Sequence, residues 1–241
     1  MSEPKAFRRF TQHKPTGNPL TLAVDHPAVV DGRTYFRRNV VGSDAQIRLL
    51  KSGGNSVKIG SHVTKGALKG APIFTLTLEE RLTCPKSCAH WRDCYGNKMH
   101  WPKRIVPDDG FLPRLEAELH GLHAKHGRFL VRLHVLGDFY SVAYVEFWSR
   151  MLRALLGLHI FGYTARRKCE IAAAINCIQG PRCSIRTSDD PSPLAFRSIT
   201  VDDPASCGDA ILCPAQTDKT DCCGTCALCW STPRAIAFLR H

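Results

Sequence analysis

Short apolar runs alternate with amphipathic stretches along most of the chain after residue 70. The runs 73–78, 130–135 and 159–164 are rich in β-branched, aromatic and leucine residues, which is typical of buried strands. Between them, apolar residues recur at helical spacing on two stripes: Leu112, Leu115, Leu119 and Leu122, then Val145, Trp148, Leu152 and Leu155. Pro113 suits the first turn of the first helix, and Ser141 suits the N-cap of the second.

The same alternation continues to residue 213, with a short helix over 169–178 and strands over 182–188, 196–201 and 210–213. Strands that alternate with helices predict an α/β fold with a parallel sheet. Alternate positions of several strands are polar, as in Arg132 and His134, which we expect on one face. Polar side chains in a row on one face of the sheet favour a partial (β/α) barrel with a polar lumen. An antiparallel sheet with one wet face is the alternative.

This pattern divides the chain into three predicted parts. Residues 1–70 form a basic N-terminal extension, with a hairpin expected at Asp31-Gly32 because this pair suits a tight primed turn. Residues 71–213 form the partial barrel. Residues 214–241 form a cysteine-rich C-terminal module that binds a cluster.

Composition narrows the class of protein. Hydrophobic residues make up 44% and charged residues 22%, which is globular and not disordered. The polar N-terminus and the lack of a long apolar run predict a cytoplasmic protein with no membrane contact. Because disulfides are rare in a reducing compartment, metal binding is the leading explanation for the 12 cysteines.

The formal charge of +12 favours an anionic partner. That partner would be a small-molecule or nucleotide-type substrate, or a nucleic acid. Ordinary solubility explains the charge equally well.

Four cysteines near the C-terminus form the stronger metal motif. Cys223, Cys226 and Cys229 have the Cys-x2-Cys-x2-Cys spacing, and Cys213 precedes a proline, as the remote ligand of bacterial ferredoxins does. We therefore predict a [4Fe–4S] cluster here, with Cys222 as a substitute ligand. Zinc is the alternative, although structural zinc more often uses two separated Cys-x2-Cys pairs.

A second constellation lies at Cys84, Cys88 and Cys94. Three thiolates leave one iron of a [4Fe–4S] cluster without a protein ligand, and such an iron can bind a substrate or cofactor. The alternative is a zinc site completed by His90 or His100. The scattered Cys169, Cys177 and Cys183 are expected to be core residues.

The three-cysteine loop directly follows a predicted strand, and in this respect the chain resembles radical S-adenosylmethionine (SAM) enzymes. That resemblance implies that the open iron binds SAM. It also implies cofactor-binding roles for Gly137, Asp138 and Tyr140, within the turn after the second strand, and for Ser188 and Asp189 after the fourth. Taken together, these motifs also resemble those of a group of uncharacterised phage-encoded cysteine-rich proteins.

Three side chains near predicted strand ends are catalytic candidates: Asp138, His134 and Arg166. Each has a simpler explanation, respectively a helix cap, a hydrogen-bonded core histidine and a surface arginine. The leading hypothesis is a radical-SAM-like oxidoreductase or transferase that needs an electron donor. The alternatives are a SAM-independent iron–sulfur enzyme, whose open iron handles sulfur or acts as a Lewis acid, and a zinc-stabilised nucleic-acid-binding protein.

Overall fold

The computed structural model describes residues 20–189 and 196–240. The strands are β1 (Val40–Val41), β2 (Lys51–Ser52), β3 (Ile73–Thr75), β4 (Arg104–Ile105), β5 (Phe129–Leu133), β6 (Leu158–Thr164), β7 (Cys183–Ser188), β8 (Arg197–Val201), β9 (Ile211–Leu212) and β10 (Ile236–Leu239). The helices are α1 (Pro27–Val30), α2 (Glu80–Thr83), α3 (Phe111–His126), α4 (Val142–Ala154), α5 (Glu170–Ile178), α6 (Cys223–Cys226) and α7 (Leu228–Ser231). None of the described helices is long and apolar enough to cross a membrane.

An eight-stranded sheet forms the centre of the fold, in the order β2-β3-β5-β6-β7-β8-β10-β9. Its pairings are parallel except for β2, which runs antiparallel to β3. The predicted parallel α/β sheet is therefore confirmed, and the antiparallel alternative is wrong. β2 and β9 are the sheet edges among the described residues. A separate parallel pair joins β1 to β4.

The long helices cover one face of the sheet. Right-handed crossovers between neighbouring parallel strands put their helices on the same side. Leu115 and Leu119 of α3 and Trp148 of α4 are fully buried there against Val131 of β5. Ser141 caps α4 as expected, because its hydroxyl accepts a hydrogen bond from the Tyr144 amide.

The opposite face is covered by two segments that the sequence did not place there. Leu130 of β5 and Phe161 of β6 pack against Ile59 and Val63, and Trp230 from the C-terminus joins the same cluster. The rings of Phe161 and Trp230 are 4.7 Å apart. This face therefore holds the C-terminal cysteine segment against the middle of the sheet.

Two local expectations are wrong. The hairpin at Asp31-Gly32 is not formed, because the residues before the turn form α1, with Asp31 as its C-cap. Arg132 and His134 also do not share a face: Arg132 stacks on Tyr163, whereas His134 packs on Tyr144 of α4. β5 ends at Leu133, so strand alternation does not extend to His134.

The predicted N-terminal extension contributes to the core over its described part. Leu22, Leu49, Leu50 and Val63 are all buried. Residues 1–19, 190–195 and 241 of the predicted parts lie outside the described residues. β10, which lies between β8 and β9 in the sheet, was not predicted from the sequence.

Candidate metal centres

The three-cysteine loop begins at the carboxyl end of β3, through the short helix α2. Cys84 is the C-cap of that helix and donates its amide to the Glu80 carbonyl. The Leu78 amide bonds to the Leu136 carbonyl, which fixes this segment beside the chain that leaves β5. The loop therefore lies at the edge of the sheet where parallel α/β proteins place their chemistry.

A buried ion pair anchors both ends of this loop. The Arg104 side chain is fully buried, and its Nε lies 2.9 Å from Glu80 Oε2. Its Nη2 donates to the carbonyls of Gly96 at 3.0 Å and Met99 at 3.1 Å. Because Glu80 precedes Cys84 and Gly96 follows Cys94, one guanidinium group ties together the two flanks of the cysteine loop.

Arg81 organises the interior of the same loop. Its guanidinium lies over the Trp91 ring at 4.5 Å and donates to the Trp91 carbonyl. It also donates to Asn97 Oδ1 at 3.0 Å. Asn97 in turn donates to the Arg92 carbonyl at 2.9 Å. This backbone is thus held by buried side chains, although it has no regular secondary structure for most of its length.

The three thiols share one electrostatic environment. Burial, and then the negative charge of Asp138, raise the pKa of Cys84 well above its usual range, and Cys94 and Cys88 add to the effect. Burial and the Glu80 charge raise the pKa of Cys94 to about 12. Burial also raises the pKa of Cys88. A metal centre that replaced the thiol protons would remove this repulsion, since only the thiolate is a strong metal ligand.

Asp138 and Arg166 meet beside Cys84, but both side chains are engaged in positioning. Asp138 is buried and accepts the amides of Phe139 and Ala165, each at 2.7 Å. Arg166 donates to the Phe139 carbonyl at 2.8 Å and to the Thr83 carbonyl at 2.6 Å. Together they join the turn after β5 to the start of the cysteine loop. Burial raises the pKa of Asp138 to about 6.

Gly137 is where this turn touches the cysteine segment. It has φ +89°, and a Cβ atom there would lie 2.7 Å from both Leu78 Cβ and Thr83 Oγ1. The backbone conformation and the close approach both require glycine.

His90 connects the loop to the ends of β7 and β8. Its Nε2 lies 2.8 Å from Asp189 Oδ2 and 3.0 Å from Thr200 Oγ1, and its Nδ1 lies 3.2 Å from Asp93 Oδ1. The hydrogen bond with Asp189 raises the pKa of His90. Both ring nitrogens are therefore occupied by other partners in this structure.

The remaining predicted residues have different surroundings. His134 is buried, with Nε2 2.9 Å from the Tyr144 hydroxyl, and burial lowers its pKa to about 3. Tyr140 stacks on Tyr144, with ring centroids 4.5 Å apart. The Ser188 carbonyl accepts a hydrogen bond from Arg167. His134 and Tyr140 thus belong to an aromatic group around α4.

The four C-terminal cysteines surround one pocket. Its lining includes Cys213, Cys223, Cys226 and Cys229, and the cavity between them is small, about 10 Å³. Cys222 is not among the lining residues; it is buried and caps α6. The four cysteines of the sequence motif therefore line one pocket.

Backbone contacts fix this segment on the sheet. The Cys223 amide donates to the Lys58 carbonyl at 2.7 Å. Arg186 of β7, fully buried, donates to the carbonyls of Cys229 at 3.2 Å and Arg234 at 2.7 Å, and also to that of Thr232. Arg186 satisfies carbonyls that would otherwise be buried without donors.

Cys229 is the thiol with a lowered pKa, about 6. The main cause is a hydrogen bond from Cys223; a bond from the Tyr163 hydroxyl, at 3.0 Å from Sγ, and the charges of Arg186 and Arg132 add to it. These contacts stabilise negative charge on the sulfur.

Arg132 lies within electrostatic range of Cys229 and of Tyr95. Its guanidinium is 4.5 Å from the Tyr163 ring centroid and lowers the pKa of Cys229. It also interacts with Tyr95, which directly follows Cys94. One side chain of β5 therefore interacts with a member of the second cysteine group and with the residue that follows the first.

Among the described residues, no three His, Cys, Asp or Glu side chains are arranged to hold a metal ion. Tetrahedral zinc, with Zn–S bonds near 2.3 Å, needs sulfurs about 3.8 Å apart. A cluster of several irons spaces its thiolates more widely, because the metal atoms lie between them. Thiols are ligands of both zinc and iron–sulfur clusters, so the chemistry of this set of donors fits either group.

The other cysteines are dispersed, and no described cysteine forms a disulfide. Cys183 is a core residue as expected. Cys169 and Cys177 are exposed, so the expectation that they are core residues is wrong. Glu80, Arg104 and Arg186 were not predicted as site residues, since single charged residues in apolar surroundings carry no spacing signal.

A family model for Gene product 88 matches residues 48–181. The chain belongs to the Gene product 88 family. This agrees with the predicted resemblance to phage proteins, and the matched region contains Cys84, Cys88 and Cys94 but ends before Cys213. No curated protein and no solved structure matches the chain. The comparisons give no support to a relationship with radical SAM enzymes.

Proposed function

We propose that this Gene product 88 protein is an iron–sulfur enzyme with two [4Fe–4S] centres. Cys84, Cys88 and Cys94 would hold the first, with one iron open to a ligand. Cys213, Cys223, Cys226 and Cys229 would hold the second. The observation that carries this proposal is that one chain has both a loop whose three thiols interact electrostatically and a pocket lined by four further cysteines.

The first centre is proposed to have no fourth protein ligand. His90 was the nearest candidate in sequence, and both its nitrogens already contact oxygen atoms of Asp93, Asp189 and Thr200. The ring of His100 packs against Phe36. An iron without a protein ligand can bind the ligand that reacts.

We propose SAM as that ligand. Support comes from the sheet topology. Six parallel strands lie side by side in the same order in which they occur along the chain: β3, β5, β6, β7, β8 and β10. Such an order suits a sheet curled into a partial (β/α) barrel, with the cysteine loop after its first strand. A reduced cluster with bound SAM supplies radical chemistry.

The protein side chains have defined roles in this proposal. Arg104, Arg81 and Arg166 hold the cysteine loop in position, and Asp138 fixes the turn beside it. None of these groups needs to react. They are positioning residues, and the enzyme would need an external electron donor.

Anaerobic reconstitution tests the metal assignment. We expect about eight irons and eight sulfides per chain, close to half of that in Cys88→Ala and in Cys226→Ala, and no loss in Cys177→Ala, which alters an exposed cysteine outside both sites. A colourless protein that holds zinc tightly would contradict the proposal.

Addition of SAM to the reduced protein tests the ligand. We expect SAM to change the electron paramagnetic resonance spectrum of the wild type and of Cys226→Ala, but not that of Cys88→Ala. A two-cluster protein indifferent to SAM would instead favour an iron–sulfur enzyme that uses its open iron for sulfur or Lewis-acid chemistry.

A further inference from the structure

An exposed basic and aromatic surface lies at the start of the β1–β4 pair. We call it the entry surface and define it as residues 33–39 and 98–103. Val40 pairs with Arg104 in parallel, so the segments that precede these two strands run side by side. The Asn39 side chain donates to the His100 carbonyl at 2.5 Å, and the rings of Phe36 and His100 are 4.8 Å apart.

Trp101 is the most prominent side chain of this surface. It is 91% exposed, whereas Trp148 is fully buried and Trp91 is partly buried. Tyr35 is 44% exposed and packs edge-on against Phe36 at 5.0 Å. The Tyr35 ring also stacks on His26, with centroids 5.6 Å apart. Trp101 therefore offers the exposed aromatic face of this surface to a flat ligand, and burying a large exposed indole is favourable.

The charge of the entry surface is uniformly positive. Its two segments contain no Asp or Glu, and its exposed cations include Arg33, Arg37, Arg38 and Lys103. Within the described residues, none of these four forms an ion pair. They are available to an anionic partner.

We propose that the entry surface binds single-stranded nucleic acid. Cations that follow a phosphate backbone, together with aromatic rings on which bases stack, are the two elements of single-strand recognition. A lipid surface fits less well, because apart from the indole the segments expose no large aliphatic side chain. The proposal does not depend on any metal centre.

The surface adjoins the first cysteine loop. Arg104 donates to the Pro102 carbonyl at 3.1 Å and also to the Met99 and Gly96 carbonyls, so one buried side chain supports both regions. A strand held at the entry surface would therefore lie beside the chain that carries Cys94.

Fluorescence anisotropy with labelled oligothymidylate tests this on the full chain. Trp101→Ala is expected to weaken binding by about 5-fold to 100-fold, the range for loss of base stacking. Arg37→Gln/Arg38→Gln should reduce the salt slope of log K by about 1.4 if both residues contact phosphates. The controls are Leu156→Ala, another exposed apolar residue, and Lys69→Gln/Lys125→Gln, which has the same charge change.

The proposal predicts that both controls bind as the wild type does, and that duplex DNA binds more weakly than the single strand. It is overturned if the wild type does not bind at low salt, if Trp101→Ala binds normally, or if duplex is preferred. Trp101-dependent binding to anionic phosphatidylserine vesicles without oligonucleotide binding would also overturn it. All variants carry the same basic N-terminus, so its charge cannot produce the differences.

Discussion

Removal of the Arg104 guanidinium is the sharpest test of how the first cysteine loop is held. Arg104→Met keeps an apolar stem but leaves the Glu80 carboxylate, 3% exposed, without its cation. It also leaves the Gly96, Met99 and Pro102 carbonyls without this donor. Breaking a buried ion pair from one side costs about 3–5 kcal/mol, a large fraction of a typical domain stability of about 5–15 kcal/mol.

Urea unfolding followed by circular dichroism measures this cost. Arg104→Met should lower the free energy of unfolding by about 3–5 kcal/mol. The control Arg48→Met, an exposed arginine, should change it by less than about 0.5 kcal/mol. The same Arg104 variant should lose iron from the first site on reconstitution while the second site stays loaded.

A double-mutant cycle with Glu80→Gln separates the causes. If the cost comes from an unpaired buried carboxylate, the double variant should be more stable than the sum of the two single changes predicts. Thr34 still has a hydrogen-bond partner in the amide at position 80. An Arg104→Met protein within about 1 kcal/mol of the wild type, or strict additivity in the cycle, would refute the reasoning.

Three further results are expected. Tyr163→Phe removes a hydrogen bond to Cys229. Because hydrogen bonds to cluster sulfurs favour the reduced state, this variant should have a more negative reduction potential at the second site in a mediated redox titration. An unchanged potential would contradict this. Gly137→Ala should lower the free energy of urea unfolding by about 1–3 kcal/mol, whereas Gly121→Ala, in an open helical position, should raise it by about 0.5–1 kcal/mol; equal effects would refute the close-approach argument. His134 stays neutral in the folded protein down to about pH 3, whereas in the unfolded state it binds a proton below about pH 6.5. As the pH falls from about 6.5 to about 3, the free energy of unfolding of the wild type should therefore decrease more steeply than that of His134→Gln. Parallel pH curves would contradict the burial argument.

The order of the main strands and helices could be predicted from the sequence alone. Leu115 and Trp148 belong to stripes with helical spacing, and both are buried against the sheet. The periodicity of apolar residues predicts these elements because each element buries one face, and the helix or strand period fixes which residues share that face. The cysteine motif at 223–229 could also be predicted, since residues three positions apart in the sequence stay close in the folded chain.

The surroundings of each cysteine group became apparent only from the folded structure. The sequence did not indicate that Arg186 would hold the carbonyl of Cys229, or that Arg104 would join Glu80 to Gly96. These contacts join residues far apart in the chain, and the need to satisfy buried charges and carbonyls becomes visible only once packing has removed water. Local spacing therefore identified the cysteine motifs, whereas long-range packing set the charge environment of their thiols.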